Sequence, residues 1–160
     1  MLYPLSYGGL GRIHLTRRGG SRLPAAGWAR LDSVSASHGR VLVVDDTEVI
    51  RQLITVNLEF EGFDVVAAAD GQEALDIVHE VRPDVITLDV VMPRVDGYTV
   101  FERLRADPRT AGIPVVLVTA QAMRADRDRA AASGVDAYLT KPFDPAELVR
   151  VVRELAARVP

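Results

Sequence analysis

The stretch that most restricts the fold runs from Asp84 to Gly97 and reads DVITLDVVMPRVDG. Val85, Ile86, Thr87 and Leu88 form a near-continuous β-forming run that stops abruptly at Asp89. Such a run describes a strand buried on both faces, as in a parallel sheet covered by helices. Asp89 then lies at the carboxyl edge of the sheet, where open α/β sheets place their chemistry. Taken alone, Asp89 is equally well a strand-ending or helix-capping carboxylate, so the rest of the chain has to decide.

Four further apolar runs share this design. Val41–Val44 ends in Asp45–Asp46, and Phe63–Ala68 follows a stop at Gly62. Ile113–Val118, with Pro114 near its start, ends at Thr119–Ala120, and the short Asp136–Thr140 ends at Lys141–Pro142. Between these runs the spacing predicts helices. Glu48–Glu61 puts Ile50, Leu53, Ile54 and Leu58 on one stripe, with Asn57 a polar exception. Gln72–Val81 turns Ala74, Leu75 and Val78 inward and ends near Pro83. Tyr98–Ala106 closes at Asp107–Pro108, and the alanine-rich, charged Met123–Ser133 stops at Gly134. A last helix opens at Asp144 or Pro145 and runs through Ala157, with Leu148, Val149, Val152 and Leu155 on one side. Strands alternating with helices through short connections mean parallel βαβ units with right-handed crossovers. The expected fold is α/β, a flavodoxin-like doubly wound parallel sheet of five strands in the order 2-1-3-4-5 with five helices.

Composition narrows the function classes. A chain of 160 residues with 48% apolar and 26% charged residues supports one ordinary globular core. Without a run of eighteen apolar residues, no membrane span is expected. Zero cysteines rule out disulfides and thiolate metal sites and fit a reducing cytoplasm. The net charge of −3 hides an asymmetry: residues 1–39 hold Arg12, Arg17, Arg18, Arg22 and Arg30 against Asp32 alone. The remainder is therefore acidic, a poor grip for nucleic-acid phosphates, and no direct DNA binding is expected. Residues 1–38 are broken by Gly8–Gly9, Gly19–Gly20, Pro24 and serines, and read as a disordered basic extension ahead of one domain at 39–160. Arg17–Arg18 is not followed by the apolar core an export signal needs. His14, His38 and His79 read as solvent-exposed, with no ligand spacing among them.

In the 2-1-3-4-5 order, strands 1 and 3 flank the switch point, which brings Asp45, Asp46 and Asp89 together. Thr119 and Lys141 end strands 4 and 5 on the same edge. Each has a bland reading: a capping pair, an N-cap threonine, a solvated loop lysine. Together they do not. Carboxylates about 4 Å apart repel by roughly 4 kcal/mol per pair at an effective dielectric near 20, a cost no structural role requires. A hard divalent cation removes it, and Mg²⁺ suits few carboxylates, several waters and a phosphoryl group. Asp46 and Asp89 read as direct ligands, and Asp45 as a ligand directly or through water. One carboxylate can then attack a phosphoryl group, Lys141 pairing with its oxygens, Thr119 donating a hydrogen bond and small Ala120 leaving room.

VLVVDD at 41–46, TLDVVMPRVDG at 87–97, VVLVTA at 115–120 and YLTKPF at 138–143 occur in the order found in response regulators of two-component systems. From Gly39 onward, about three quarters of the chain, the sequence resembles their receiver domain. The resemblance implies that Asp89 is the phosphoacceptor and that the Val91 backbone carbonyl joins Asp45, Asp46 and Asp89 at the metal. It further implies Thr119 as switch hydroxyl, Lys141 as phosphate-binding lysine and Tyr138 as switch aromatic. The implied donor is a sensor histidine kinase or histidine phosphotransfer protein, met in part by Glu48, Val49, Gln52 and Leu53, although core packing explains the apolar pair equally well. Val91 and Gln121 sit where relatives tune hydrolysis of the aspartyl phosphate. With nineteen residues after Lys141, the expectation is a cytoplasmic stand-alone receiver that acts on a downstream protein target or relays its phosphoryl group. It is not a turnover enzyme. A haloacid-dehalogenase-type phosphatase would need a second acid two residues after its nucleophile, where Asp89 has Val91 and Asp45 has Thr47. A phosphorylation-independent binding module would not need the acidic residues.

Overall fold

The computed structural model describes residues 37–120, 128 and 132–159. They lie within one compact unit, Val34–Pro160. The elements in chain order are β1 (Arg40–Val44), α1 (Glu48–Phe60), β2 (Asp64–Ala68), α2 (Gly71–Val81), β3 (Val85–Asp89), α3 (Gly97–Ala106), β4 (Val115–Thr119), β5 (Ala137–Thr140) and α4 (Pro145–Ala156). All strand pairs are parallel and the order is β2-β1-β3-β4-β5. The expected fold class is thus the observed one.

Alternation along the strands feeds two apolar layers. Leu42, Val44, Ile86, Leu88 and Leu117 pack with Ala74 and Val78 of α2 and Val100, Phe101 and Leu104 of α3. Val41, Val43, Val85, Val116 and Val118 pack on the other face with Ile54 and Leu58 of α1 and Leu148, Val152 and Leu155 of α4. Each fully buried aliphatic side chain contributes about 1.5–3 kcal/mol, which pins the register and with it the height of every strand end.

Several expectations are corrected. Leu53 does not face the sheet: it is 41% exposed, and the buried stripe of α1 is Ile54 and Leu58 with half-buried Ile50. Leu75 is only partly buried. β2 starts at Asp64 because Phe63, buried in the α1 layer, donates its N–H to Leu58 instead. β4 starts at Val115, since Pro114 has no N–H to give the ladder, although its carbonyl accepts from Ile86 (3.0 Å). His79 is half-buried, 3.2 Å from Asp107. Four helices are described. The further one expected at 123–133 lies mostly outside the described residues, of which Asp128, Ala132 and Ser133 are helical. His14, Gln121 and residues 1–36 of the expected 1–38 extension lie outside them too. Among the described residues no helix is long and apolar enough to cross a membrane.

Candidate functional site

The ends of β1 and β3 lie side by side, with Val44 paired to Leu88. Asp45 follows β1 at 1% exposure, Asp89 ends β3 at 4%, and Asp46 is exposed. One carboxylate oxygen from each of the three lies within 4.8 Å of the others. Sequence distance is overcome by topology here: both strands run toward the same edge, and the helices between them return the chain.

Lys141 enters from β5. Its N–H donates to the Thr119 carbonyl (2.7 Å), which continues the β4–β5 ladder by one residue, and its peptide to Pro142 is cis. The side chain is 17% exposed and its Nζ lies 2.7 Å from Asp45 Oδ2 and 3.3 Å from Asp89 Oδ2. One ammonium thus lies between two buried carboxylates. Asp45 is further tied through Oδ1, which accepts the Thr47 N–H (2.8 Å), while its carbonyl accepts from Arg51 (2.7 Å). Asp89 Oδ1 accepts the Val91 N–H (3.3 Å). The Asp89 carboxyl is raised to about 6, chiefly by burial and next by the charge of Asp45, with Lys141 opposing both.

Thr119, 1% exposed, ends β4 on this edge, and Ala120 beside it is exposed. Tyr138 is half-buried against the α2/α3 layer, with Leu117 its ladder partner. Val91 is 52% exposed. The structure therefore gathers Asp45, Asp46, Asp89 and Lys141 directly and sets Thr119 at the same rim. The N-cap of α1 is Thr47 rather than Asp45 or Asp46, although Asp45 Oδ1 holds the N–H of that N-cap.

Two features escaped the sequence reading. The first is Gly97, where a Cβ would come within 2.2 Å of the Asp89 carbonyl oxygen. Only glycine lets α3 start against the residue that ends β3, and the Asp96–Gly97 dipeptide after an apolar run was the available signal. Arg94, at φ 67, bonds through its guanidinium to Asp70, the N-cap of α2. It links the loops after β2 and β3, and nothing in the sequence paired those two residues.

The donor set is all carboxylate oxygen, hard and anionic, and fits a hard divalent cation such as Mg²⁺. Comparison with known proteins adds to this geometry. The sequence pattern of the response regulator receiver domain matches residues 41–153. The DNA-binding dual master transcriptional regulator RpaA of Synechocystis is 45% identical over 119 residues, covering 74% of this chain and 49% of RpaA. The DNA-binding response regulator MtrA of Mycolicibacterium paratuberculosis is 43% identical over 114 residues, or 71% and 49%. Among solved structures, the receiver domain of sensor histidine kinase PA1611 from Pseudomonas aeruginosa, with magnesium in its active-site cleft, superposes with a TM-score of 0.68. It is 32% identical, covering 74% of this chain and 98% of that one. The chain spans about half the length of the two regulators. These relatives overturn the expectation of no direct DNA binding. That expectation rested on the acidity of the domain, and the charge of one domain does not bound what a regulator twice as long touches.

Proposed function

The chain belongs to the response regulator receiver family, and from that premise we propose that it accepts a phosphoryl group on Asp89 from a histidine kinase or histidine phosphotransfer protein. The observation that carries this is the buried Asp89 carboxylate at the end of β3, beside Asp45 and Asp46 and 3.3 Å from Lys141. An Asp89 carboxylate oxygen attacks phosphorus. The O–P bond forms as the N–P bond of the donor phosphohistidine breaks, and its electron pair returns to the imidazole nitrogen. Asp46, Asp89, Asp45 directly or through water, and the Val91 carbonyl would hold Mg²⁺, which would supply neutralisation of charge on the phosphoryl oxygens. Lys141 leaves Asp45 to pair with a phosphoryl oxygen, and Thr119 donates its hydroxyl to another. Movement of Thr119 opens space beside Tyr138, whose turn inward would remodel the β5–α4 face as a two-state element. The protein acts as phosphoacceptor rather than turnover enzyme. The absence of cysteine fits a cytoplasmic setting.

The switched face then governs either an effector or the next carrier of a relay. Likeness to RpaA and MtrA supports an output at DNA, made through an effector region of the kind those regulators' names imply. Val49 (73% exposed) and Leu53 at the start of α1 support docking of the donor there. The test is exposure of the protein to acetyl phosphate or phosphoramidate with Mg²⁺. A mass increase of one phosphoryl group is expected, and it is lost in Asp89→Ala and without divalent cation. An unchanged mass in the wild type, or equal labelling of Asp89→Ala, defeats the reading.

A further inference from the structure

Six large apolar side chains are exposed among the described residues, and four of them, Val49, Leu53, Val56 and Phe60, lie on α1. Phe60 is 89% exposed. Spacings of four, three and four residues set them in one line along the helix, on the side away from Ile54 and Leu58. This is the seam spacing of a coiled coil, with positions d, a, d and a in turn. We propose that this line pairs with the same line of a second copy of the chain, α1 parallel to α1.

Polar flanks select the second copy and the direction. In the heptad register, Gln52 and Glu59 occupy g and Asn57 occupies e, and a parallel pair sets each g opposite the e five residues on. Gln52 thus meets Asn57 of the other copy. Gln52 Nε2 spends one N–H on Glu48 (3.1 Å) and keeps a second. Asn57 Nδ2 donates to the Leu53 carbonyl (2.8 Å), which leaves the side-chain oxygen to accept. Glu59 is exposed on the Gln52 flank. The opposite flank carries the cleft in which Asn57 and Phe60 lie beside Arg150 and Arg153 of α4. A two-fold axis along the helices brings Glu59 of each copy to those arginines of the other. Both arginines are already paired, with Glu154 and Glu61, but a guanidinium has five donors. An antiparallel pair instead keeps like flank against like: it sets the Arg150 and Arg153 side of one copy against the same arginines of the other and leaves Glu59 opposite Gln52.

A seam of four side chains on a helix of 13 residues falls short of the roughly 1,200 Å² of stable complexes, so the pairing is weak and concentration-dependent. It also covers Val49 and Leu53. If the donor docks there, a consequence that rests on the proposed function, crowding of the receiver slows its own phosphorylation. The pairing itself does not depend on that reading.

The chain has no cysteine, so single cysteines report cleanly. In the full-length protein Val49→Cys should give a disulfide-linked dimer on oxidation, because parallel helices set residue 49 beside its equivalent. Antiparallel helices hold the two apart by about 16 Å; there only a mixture of Val49→Cys and Phe60→Cys would link, and that result overturns the proposal. Sedimentation at rising concentration should show a monomer–dimer equilibrium weakened at least tenfold by Phe60→Glu. Glu59→Arg should weaken it too, and Glu59→Arg with Arg150→Glu should restore it. Monomer at every concentration into the millimolar range, or a dimer indifferent to Phe60→Glu, also overturns it. All these positions are exposed, and circular dichroism checks that each variant folds.

Discussion

Burial, and then the charge of Asp45, raise the Asp89 carboxyl to about 6 while Lys141 pulls the other way. Well below pH 4 the folded and unfolded chains both hold this proton. Between about 4 and about 6 the unfolded chain releases it first, so the cation-free protein loses stability as pH rises through that window. Above 6 the penalty is constant, about 1–3 kcal/mol after allowance for screening by water at the rim. Asp89→Asn removes it. In urea melts with EDTA, the variant should exceed the wild type by that amount at pH 7 and approach it at about pH 3. A constant difference across the range would show that Asp89 does not titrate this way. Val91 gives a second expectation, on the proposed phosphorylated form. Its isopropyl group, 52% exposed, has no donor or acceptor to orient an attacking water. The aspartyl phosphate should therefore outlast that of Val91→Asn several-fold, as followed by loss of the phosphoryl mass without phosphatase. Equal lifetimes would remove Val91 from the account.

The strands and helices were legible wherever burial was one-sided or complete. β1, β3 and β4 are buried almost throughout, and their apolar runs told where each one ends and which carboxylate, hydroxyl or lysine follows. α1 departs from the pattern at Leu53, because Ile50, Leu53, Ile54 and Leu58 all fit a helical stripe and only packing decides which of Leu53 and Ile54 meets the sheet. Contacts between distant segments, His79 with Asp107 and Arg94 with Asp70, leave no local pattern to read. Thr87 in β3 is another such case. It alternates with Val85 into the α1/α4 layer, 1% exposed, between Val43 and Val116, and its hydroxyl has no hydrogen-bond partner among the described residues. A buried hydroxyl without a partner costs about 1–3 kcal/mol. Thr87→Val, nearly the same shape, should raise the urea midpoint by the equivalent of about 1 kcal/mol, and a drop would reveal a partner for the hydroxyl. α3 depends on the opposite property. Gly97→Ala sets a methyl against the Asp89 carbonyl with nothing flexible to yield, so a loss of roughly 3 kcal/mol or more is expected by the same measurement. A neutral result would mean that the start of α3 can move away from β3.

For the molecule as a whole, the acidic cluster is a property of the assembled sheet and not of any segment. Asp45, Asp89 and Lys141 come from three strands, and the Lys141–Asp45 bond spans 96 residues of sequence. An unfolded chain has the same carboxylates without the convergence. A divalent cation should therefore bind the folded state almost exclusively and stabilise it by mass action, about 2.7 kcal/mol at a concentration 100 times its dissociation constant. Three carboxylates facing one ammonium favour the ion, and the bond that Lys141 must give up at Asp45 opposes it, so the affinity should be modest. The urea midpoint of the wild type should rise with the logarithm of Mg²⁺ concentration once the site begins to fill, while Asp46→Asn and Asp89→Asn should respond far less. Monovalent salt at matched ionic strength separates binding from screening, because screening acts on every exposed pair and would shift both variants as much as the wild type. If Asp89→Asn responds to Mg²⁺ as the wild type does, the ion is held elsewhere, and the convergence of Asp45, Asp46 and Asp89 is not what binds it.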